Sequence, residues 1–290
     1  MLATLKEVLE KAEQGNYAVG AFNCTSLESG MAIVETAEEL NSPVILQYAD
    51  SHRHLISIDV IGPIMLQLAK IAKVPVVVHL DHGASIESCR HAVDMGFTSV
   101  MYDASAKPFE DNVVETRSVV EYAHERGASV EAELGHILTS KAGAAEGNGK
   151  SYTREEAYTD PEMAKEFIER TNVDALAIGF GTAHGIYTEK PVLDLNRIAL
   201  IKSAKDIPYV MHGGSGLSEE EYRTAIHNGI RKINYYTYLS LAGGRGVMQY
   251  LEDKKDKDAI YFEDIAKAGI TAMKADVKRA MKIFESDGKI

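Results

Sequence analysis

Eight short apolar segments alternate with helical periods along a 290-residue chain, and their downstream ends are rich in His, Asp, Glu and Asn. Together these observations predict an α/β protein: a (β/α)8 (TIM) barrel with an extra N-terminal helix and a C-terminal helical tail. The segments start near Tyr17, Val44, Val74, Ser99, Ser129, Ala175, Tyr209 and Lys232. An open doubly wound sheet is the alternative, but the chain lacks an early G-x-G-x-x-G. No linker or composition shift marks a second domain, so residues 1–290 read as a single barrel domain.

Each element has a local cause. Leu5, Val8, Leu9 and Ala12 form a helical stripe over Leu2 to Gln14, ending near Gly15. Tyr17 to Asn23 is a buried strand, and Ser26 caps a helix running to Leu40. Pro43 to Ala49 is strand. Pro63 to Ala72 is helical in period, with Pro63 placed in its first turn. Val74 to Leu80 is strand, Ser85 to Met95 a helix closed by Gly96, and Ser99 to Asp103 strand. Phe109 to Arg126 is a helix stopped by Gly127, and Ser129 to Leu134 strand. Gly135 to about Thr159 is polar and longer than usual β-to-α connections. The rhythm then resumes: helix Pro161 to Thr171, strand Ala175 to Gly179, helix Leu195 to Ala204, strand Pro208 to His212. A helix from Ser218 to Asn228, a strand from Lys232 to Tyr236 and a helical tail from Ala259 to Phe284 complete it.

The net charge is −12, which argues against nucleic-acid or membrane-surface partners. An anionic ligand then needs a local positive site, such as a metal or backbone amides. Cys24 and Cys89 lack C-x-x-C spacing and suit a reducing compartment. The amphipathic N-terminus is unlike a signal peptide, and no apolar run reaches spanning length, so a cytoplasmic protein is expected.

In a barrel, the C-terminal strand ends gather around one mouth. Here they supply Asn23, Asp81, His82, Asp103, Glu131, Glu133, His184, His212 and Asn234. A lone histidine is more often a packed or surface residue. Several histidines and carboxylates converging on one mouth favour a divalent metal, and neutral imidazole suits zinc. His82, His184 and His212 form the candidate three-histidine set. His79 is assigned to the barrel wall, and His52, His54, His91, His124, His136 and His227 to surface, loop or helix positions. His212-Gly213-Gly214-Ser215-Gly216, with Asn234 to Thr237 beside it, fits an anion-cradling loop pair after strands seven and eight. By itself G-G-S-G could equally be a turn that needs glycine. Beside a candidate metal ligand, phosphate is the better account.

These motifs carry a resemblance. V-V-V-H-L-D-H-G (76–83), S-V-M-Y-D-A-S (99–105), V-E-A-E-L-G (130–135), G-T-A-H-G (181–185), H-G-G-S-G (212–216) and N-Y-Y-T (234–237) occur in order across most of the chain. The chain resembles the class II fructose-bisphosphate aldolases, in the shorter branch that includes tagatose-bisphosphate and other ketose-bisphosphate aldolases. The resemblance implies a (β/α)8 barrel, Zn2+, a phosphorylated sugar substrate and a homodimer or homotetramer. It implies Asp81 as catalytic acid/base, His82, His184 and His212 as zinc ligands, and Asp103 and Glu133 at an alternative or second metal position. It implies a dihydroxyacetone phosphate site at Gly185, Gly213, Gly214, Ser215, Asn234, Tyr235, Tyr236 and Thr237, often with a monovalent cation. Asn23 at the first strand end joins that substrate-binding set. Such an enzyme uses zinc as a Lewis acid for the charge that develops when the C3–C4 bond breaks, while Asp81 takes or returns the C4 hydroxyl proton. No Schiff-base lysine is then needed, and Lys202 and Lys232 fall at helix or strand-start positions.

The chain also departs from the family pattern. Relatives commonly carry, eight residues after the second glutamate, an acid that abstracts the C3 proton. Lys141 stands there, and a longer interval from Glu133 to His184 slides Glu146 into the acid's place. Tyr235 and Tyr236 replace smaller residues, and Ala49 stands where Ser or Thr is common. Fructose or tagatose bisphosphate is the favoured substrate, with another phosphorylated sugar or keto acid, such as a deoxy-keto-gluconate phosphate, as the rival. A metal-dependent barrel hydrolase is disfavoured by H-G-G-S-G, and a non-catalytic sugar-phosphate sensor by the presence of Asp81 with a full ligand set.

Overall fold

The computed structural model describes residues 1–139, 153–187, 189–255 and 259–290. Eight parallel strands close into a ring: β1 (Val19–Asn23), β2 (Val44–Ala49), β3 (Val76–Gly83), β4 (Ser99–Tyr102), β5 (Ser129–Leu134), β6 (Ala175–Ile178), β7 (Tyr209–Met211) and β8 (Ile230–Tyr235). The β8–β1 and β3–β4 pairings complete the closure. The expected (β/α)8 barrel is therefore present. Leu2–Ala3 pairs with the start of β3, and a short ladder joins Leu138–Thr139 to Ala183–His184 outside the ring.

Around the strands run α1 (Leu5–Gly15), α2 (Leu27–Leu40), α3 (Ile58–Ile71), α4 (Ile86–Met95), α5 (Phe109–His124), α6 (Arg154–Ala157), α7 (Pro161–Thr171), α8 (Leu195–Ala204), α9 (Glu219–Asn228), α10 (Thr237–Lys254) and α11 (Phe262–Ile283). Capping follows the sequence: Ser26, Ser85 and Ser218 cap α2, α4 and α9, and Gly96 ends α4 in a left-handed conformation. No helix among the described residues is long and apolar enough to cross a membrane.

The two-residue period of each strand divides the core. On β3, Val76, Val78 and Leu80 face the helices, whereas Val77, His79 and Asp81 face the barrel axis. β5 turns Val130, Ala132 and Leu134 outward and Glu131 and Glu133 inward; β8 turns Ile233 and Tyr235 outward and Lys232 and Asn234 inward. Leu5, Val8, Leu9 and Ala12 of α1 meet Val19, Ala21, Ile45, Val77, Ala175 and Val210, so the extra helix plugs the barrel floor. Burial of the leucines, valines and isoleucine among them is worth roughly 1.5–3 kcal/mol each. The apolar floor frees the upper interior for polar groups.

Three expectations need correction. Helix α3 starts at Ile58 under a Ser57 cap, so Pro63 lies inside it rather than in its first turn. Strand β3 continues past Leu80 to Gly83. Helix α10 went unanticipated, because Gly243, Gly244 and Gly246 weaken its helical signal. Two of those glycines let α11 approach closely. A Cβ on Gly246 would lie 2.5 Å from Ala272 Cβ, and one on Gly243 would lie 3.1 Å from Met273 Cγ.

Candidate active site

Consecutive strand residues normally point to opposite faces, yet Asp81 and His82 both reach the mouth. The β3–β4 register shifts between Leu80 and Gly83, and His82 adopts a left-handed φ of 46°. That bulge re-aims the histidine, a device common beside active sites. Asp81 is held by three amide side chains. Asn234 Nδ2 donates to Oδ1 at 2.9 Å, while Gln47 Nε2 and Asn23 Nδ2 donate to Oδ2 at 3.2 and 3.5 Å. Burial pushes its carboxyl upward, but His82, His212, Lys232 and His79 outweigh it and hold the group well below the carboxylate range. Asp81 is thus an ionised base at neutral pH.

His82, His184 and His212 bring one ring nitrogen each to within 4.8 Å of one another. His82 Nε2 and His212 Nδ1 face each other at 2.8 Å. The far nitrogens are already engaged: His82 donates from Nδ1 to Asp103 Oδ2 at 2.8 Å, and His212 donates from Nε2 to Glu131 Oε1 at 2.8 Å. A carboxylate can only accept, so these bonds fix which ring nitrogen faces outward and aim His82 Nε2 and His212 Nδ1 at one point. This donor set fits a divalent metal of the zinc type. Burial lowers His212 to about 4, keeping it neutral as a ligand must be. Burial also opposes a charge on His82, but Asp81, Asp103 and Glu133 raise it well above its ordinary value, so metal uptake there displaces a proton. A second group, His82, Asp103 and Glu133, also lies within 4.8 Å.

Above these residues opens a cavity of about 180 Å³. Asn23, Asp81, His82, His184, Gly185, Gly213, Ser215, Asn234, Tyr236 and Thr237 line it. His212 lies fully buried beneath. Gly213 needs its positive φ of 64°, and a Cβ there would fall 2.6 Å from the Ala183 backbone. Tyr187 ties these two loops: its hydroxyl accepts from Ala183 N at 2.9 Å and donates to Gly213 O at 2.8 Å.

The structure departs from the sequence reading in four places. Tyr235 lines the cavity, but its ring packs 5.8 Å from Phe22 and 6.1 Å from Phe284, with Arg279 donating to its hydroxyl at 2.9 Å. Strand alternation sends that side chain into the helix layer. Gly214 is not among the lining residues; its carbonyl accepts from Tyr222 and it packs on Ile233 and Met211. His79 points into the barrel interior, on the face of Asp81, where its Nδ1 meets Ser99 Oγ at 2.8 Å. His52, expected away from the site, lines the cavity with Ala49 and Ser51, its ring 4.6 Å from that of Tyr236. It sits in a 3-10 turn directly after β2, a strand-end signal that could have revealed it. Glu146 lies outside the described residues.

Comparison with known proteins finds relatives over nearly the whole chain. The family model described as "Fructose-bisphosphate aldolase class-II" matches residues 3–289. A fructose-bisphosphate aldolase of Geobacillus stearothermophilus is 41% identical over 291 residues, covering 99% of this chain and 98% of that one. The crystal structure of the YdjI aldolase of Escherichia coli K12 superposes with a TM-score of 0.85 at 35% identity, covering 100% of this chain and 99% of that one. That of a putative fructose-1,6-biphosphate aldolase of Coccidioides immitis gives 0.83 at 27% identity, covering 98% and 97%.

Proposed function

The chain belongs to the class-II fructose-bisphosphate aldolase family, and on that premise we propose a zinc-dependent aldolase that reversibly cleaves a ketose 1,6-bisphosphate. The products are dihydroxyacetone phosphate and an aldehyde phosphate, from fructose or tagatose bisphosphate. One observation carries this reading: three histidine nitrogens lie within 4.8 Å of one another at the floor of a cavity lined by His82, His184, an ionised Asp81 and a glycine-rich rim.

His82, His184 and His212 hold the metal, with Asp103 and Glu133 offering a second position. When bound, zinc supplies Lewis-acid stabilisation of negative charge on the ketone and hydroxyl oxygens. Asp81, depressed and fixed by amide donors, takes the C4 hydroxyl proton in cleavage and returns it in condensation. Gly185, Gly213, Ser215, Asn234 and Thr237 receive the phosphate of the dihydroxyacetone half, where backbone amides suit an anion. Glu146 serves as the C3 proton base. Glu146→Gln should abolish C3 proton exchange while zinc stays bound; normal exchange would overturn that role.

The His52–Tyr236 contact favours a second reading within the same class. Two rings 4.6 Å apart narrow the cavity beside Ala49, which suits an aldehyde half other than the usual triose phosphate. Product analysis over a panel of ketose bisphosphates, other phosphorylated sugars and keto acids decides between the two. Loss of activity on chelation and recovery with zinc is expected, and cleavage that survives full chelation would overturn the metal reading. We also propose a homodimer or homotetramer, supported by exposed Phe262, Tyr261 and Met248 around α10 and α11. A monomer by light scattering would exclude it.

A further inference from the structure

Beneath the three histidines lies a cation that this chemistry leaves unused. Lys232 on β8 is fully buried and is not among the residues lining the cavity. Its Nζ stands 2.8 Å from Glu131 Oε2 and donates to Asn234 Oδ1 at 2.7 Å. Both contacts continue upward. The other Glu131 oxygen accepts from His212 Nε2 at 2.8 Å, and Asn234 Nδ2 donates to Asp81 Oδ1 at 2.9 Å. A single ammonium thus stands at the base of two short chains, one ending at a metal ligand and the other at the acid/base.

We propose that Lys232 is a positioning residue that sets the donor–acceptor direction of both chains. The proposal rests on the roles assigned above to His212 and Asp81. An ammonium offers donors only and a carboxylate acceptors only. Asn234, between an ammonium and a carboxylate, has one satisfactory orientation: carbonyl oxygen to Lys232, amino group to Asp81. Glu131, anchored by the ammonium on one oxygen, accepts the His212 proton on the other and turns the Nδ1 lone pair toward His82. The 3.3 Å approach of Asn234 Nδ2 to His212 Nε2 is then no hydrogen bond, since that nitrogen carries its own proton. The paired carboxylate and the Asn234 carbonyl also explain how a lysine persists inside the barrel, where an unpaired charge is prohibitively costly.

The test reads the histidine directly. In metal-free wild-type protein labelled with 15N-histidine, His212 should appear by NMR as a single tautomer protonated on Nε2. A wild-type His212 protonated on Nδ1 overturns the proposal without any variant. Lys232→Met removes the cation; should it fail to fold, Lys232→Met/Glu131→Gln replaces the buried pair with neutral groups of similar size. In whichever variant folds, residue 131 loses the ammonium that anchors it and can turn away from His212, so mixed His212 tautomers and a zinc affinity reduced about tenfold to hundredfold are expected. The zinc-loaded variant should lose kcat with little change in KM. A folded variant with wild-type tautomer and zinc affinity overturns it. Failure of the underlying reading looks different: wild-type protein would not bind zinc, or His212→Ala would bind it normally, while the tautomer result would stand.

Discussion

The residue that does most to shape this site is His82, because its backbone rather than its side chain is unusual. A left-handed conformation costs an L-residue about 1–2 kcal/mol, and here it lets adjacent residues share one mouth. The two contributions can be separated. His82→Ala and His82→Gly both delete the imidazole, so both should lose tight zinc binding. The alanine variant keeps the strained φ, so it should be about 1 kcal/mol less stable than the glycine variant in urea unfolding of the metal-free proteins. Equal stabilities would show that the backbone relaxes once the ring is gone. Tyr236 permits a second residue-level prediction, since it narrows the cavity against His52. Tyr236→Ala should leave zinc binding intact and change the ratio of kcat/KM between aldehyde partners by at least about tenfold, or 1.4 kcal/mol. An unchanged ratio would remove Tyr236 from substrate choice.

Among elements, the loops after β6 and β7 act as one unit through the Tyr187 hydroxyl. Tyr187→Phe leaves the Ala183 N–H and Gly213 C=O without this partner, at a cost of about 1–3 kcal/mol if they stay buried. Because His184 follows Ala183 and Gly213 follows His212, zinc affinity should fall together with the unfolding midpoint. A variant unchanged in both would show that the loops hold their positions independently. The strands themselves were legible in the sequence, since β-branched runs and helix caps are local signals. The strand-end inventory was legible for the same reason, and it contained Asp81 and the three histidines. Side-chain direction was legible in principle: alternation from Asn234 sends Tyr235 outward, and alternation from Asp81 brings His79 inward. What no periodicity announces is a bulge. His82 reaches the mouth only because the register shifts, and His52 enters the cavity only because a turn folds over the end of β2. Those placements depend on long-range packing.

At the scale of the whole molecule, ring closure gives every strand two neighbours, so none can leave alone. We therefore take the 290 residues as one cooperative domain, for which urea should produce a single transition; two separated transitions would contradict it. The buried polar layer should make that transition sensitive to acid. Burial lowers His79 to about 3, with Lys232 adding to the effect, and burial lowers His212 to about 4. Both folded values lie below the ordinary 6.5, so the unfolded chain takes up these protons first and folding loses ground as pH falls below that point. Glu131 contributes lower on the scale. Burial raises its carboxyl, but Lys232, His212 and His79 outweigh it and hold the group at about 2. Its stabilisation is complete above its ordinary 4.5 and is lost as pH falls through about 2. The metal-free protein should therefore show an unfolding midpoint that declines from near neutrality, then more steeply below 4.5. Glu131→Gln should reduce the steepening that begins below 4.5 and keep the upper part, because the histidines remain, while Asp81 and Asp103, also held low, still cost stability in stronger acid. A midpoint that stays level between about pH 7 and pH 4 would mean that the interior histidines are not neutral in the folded barrel.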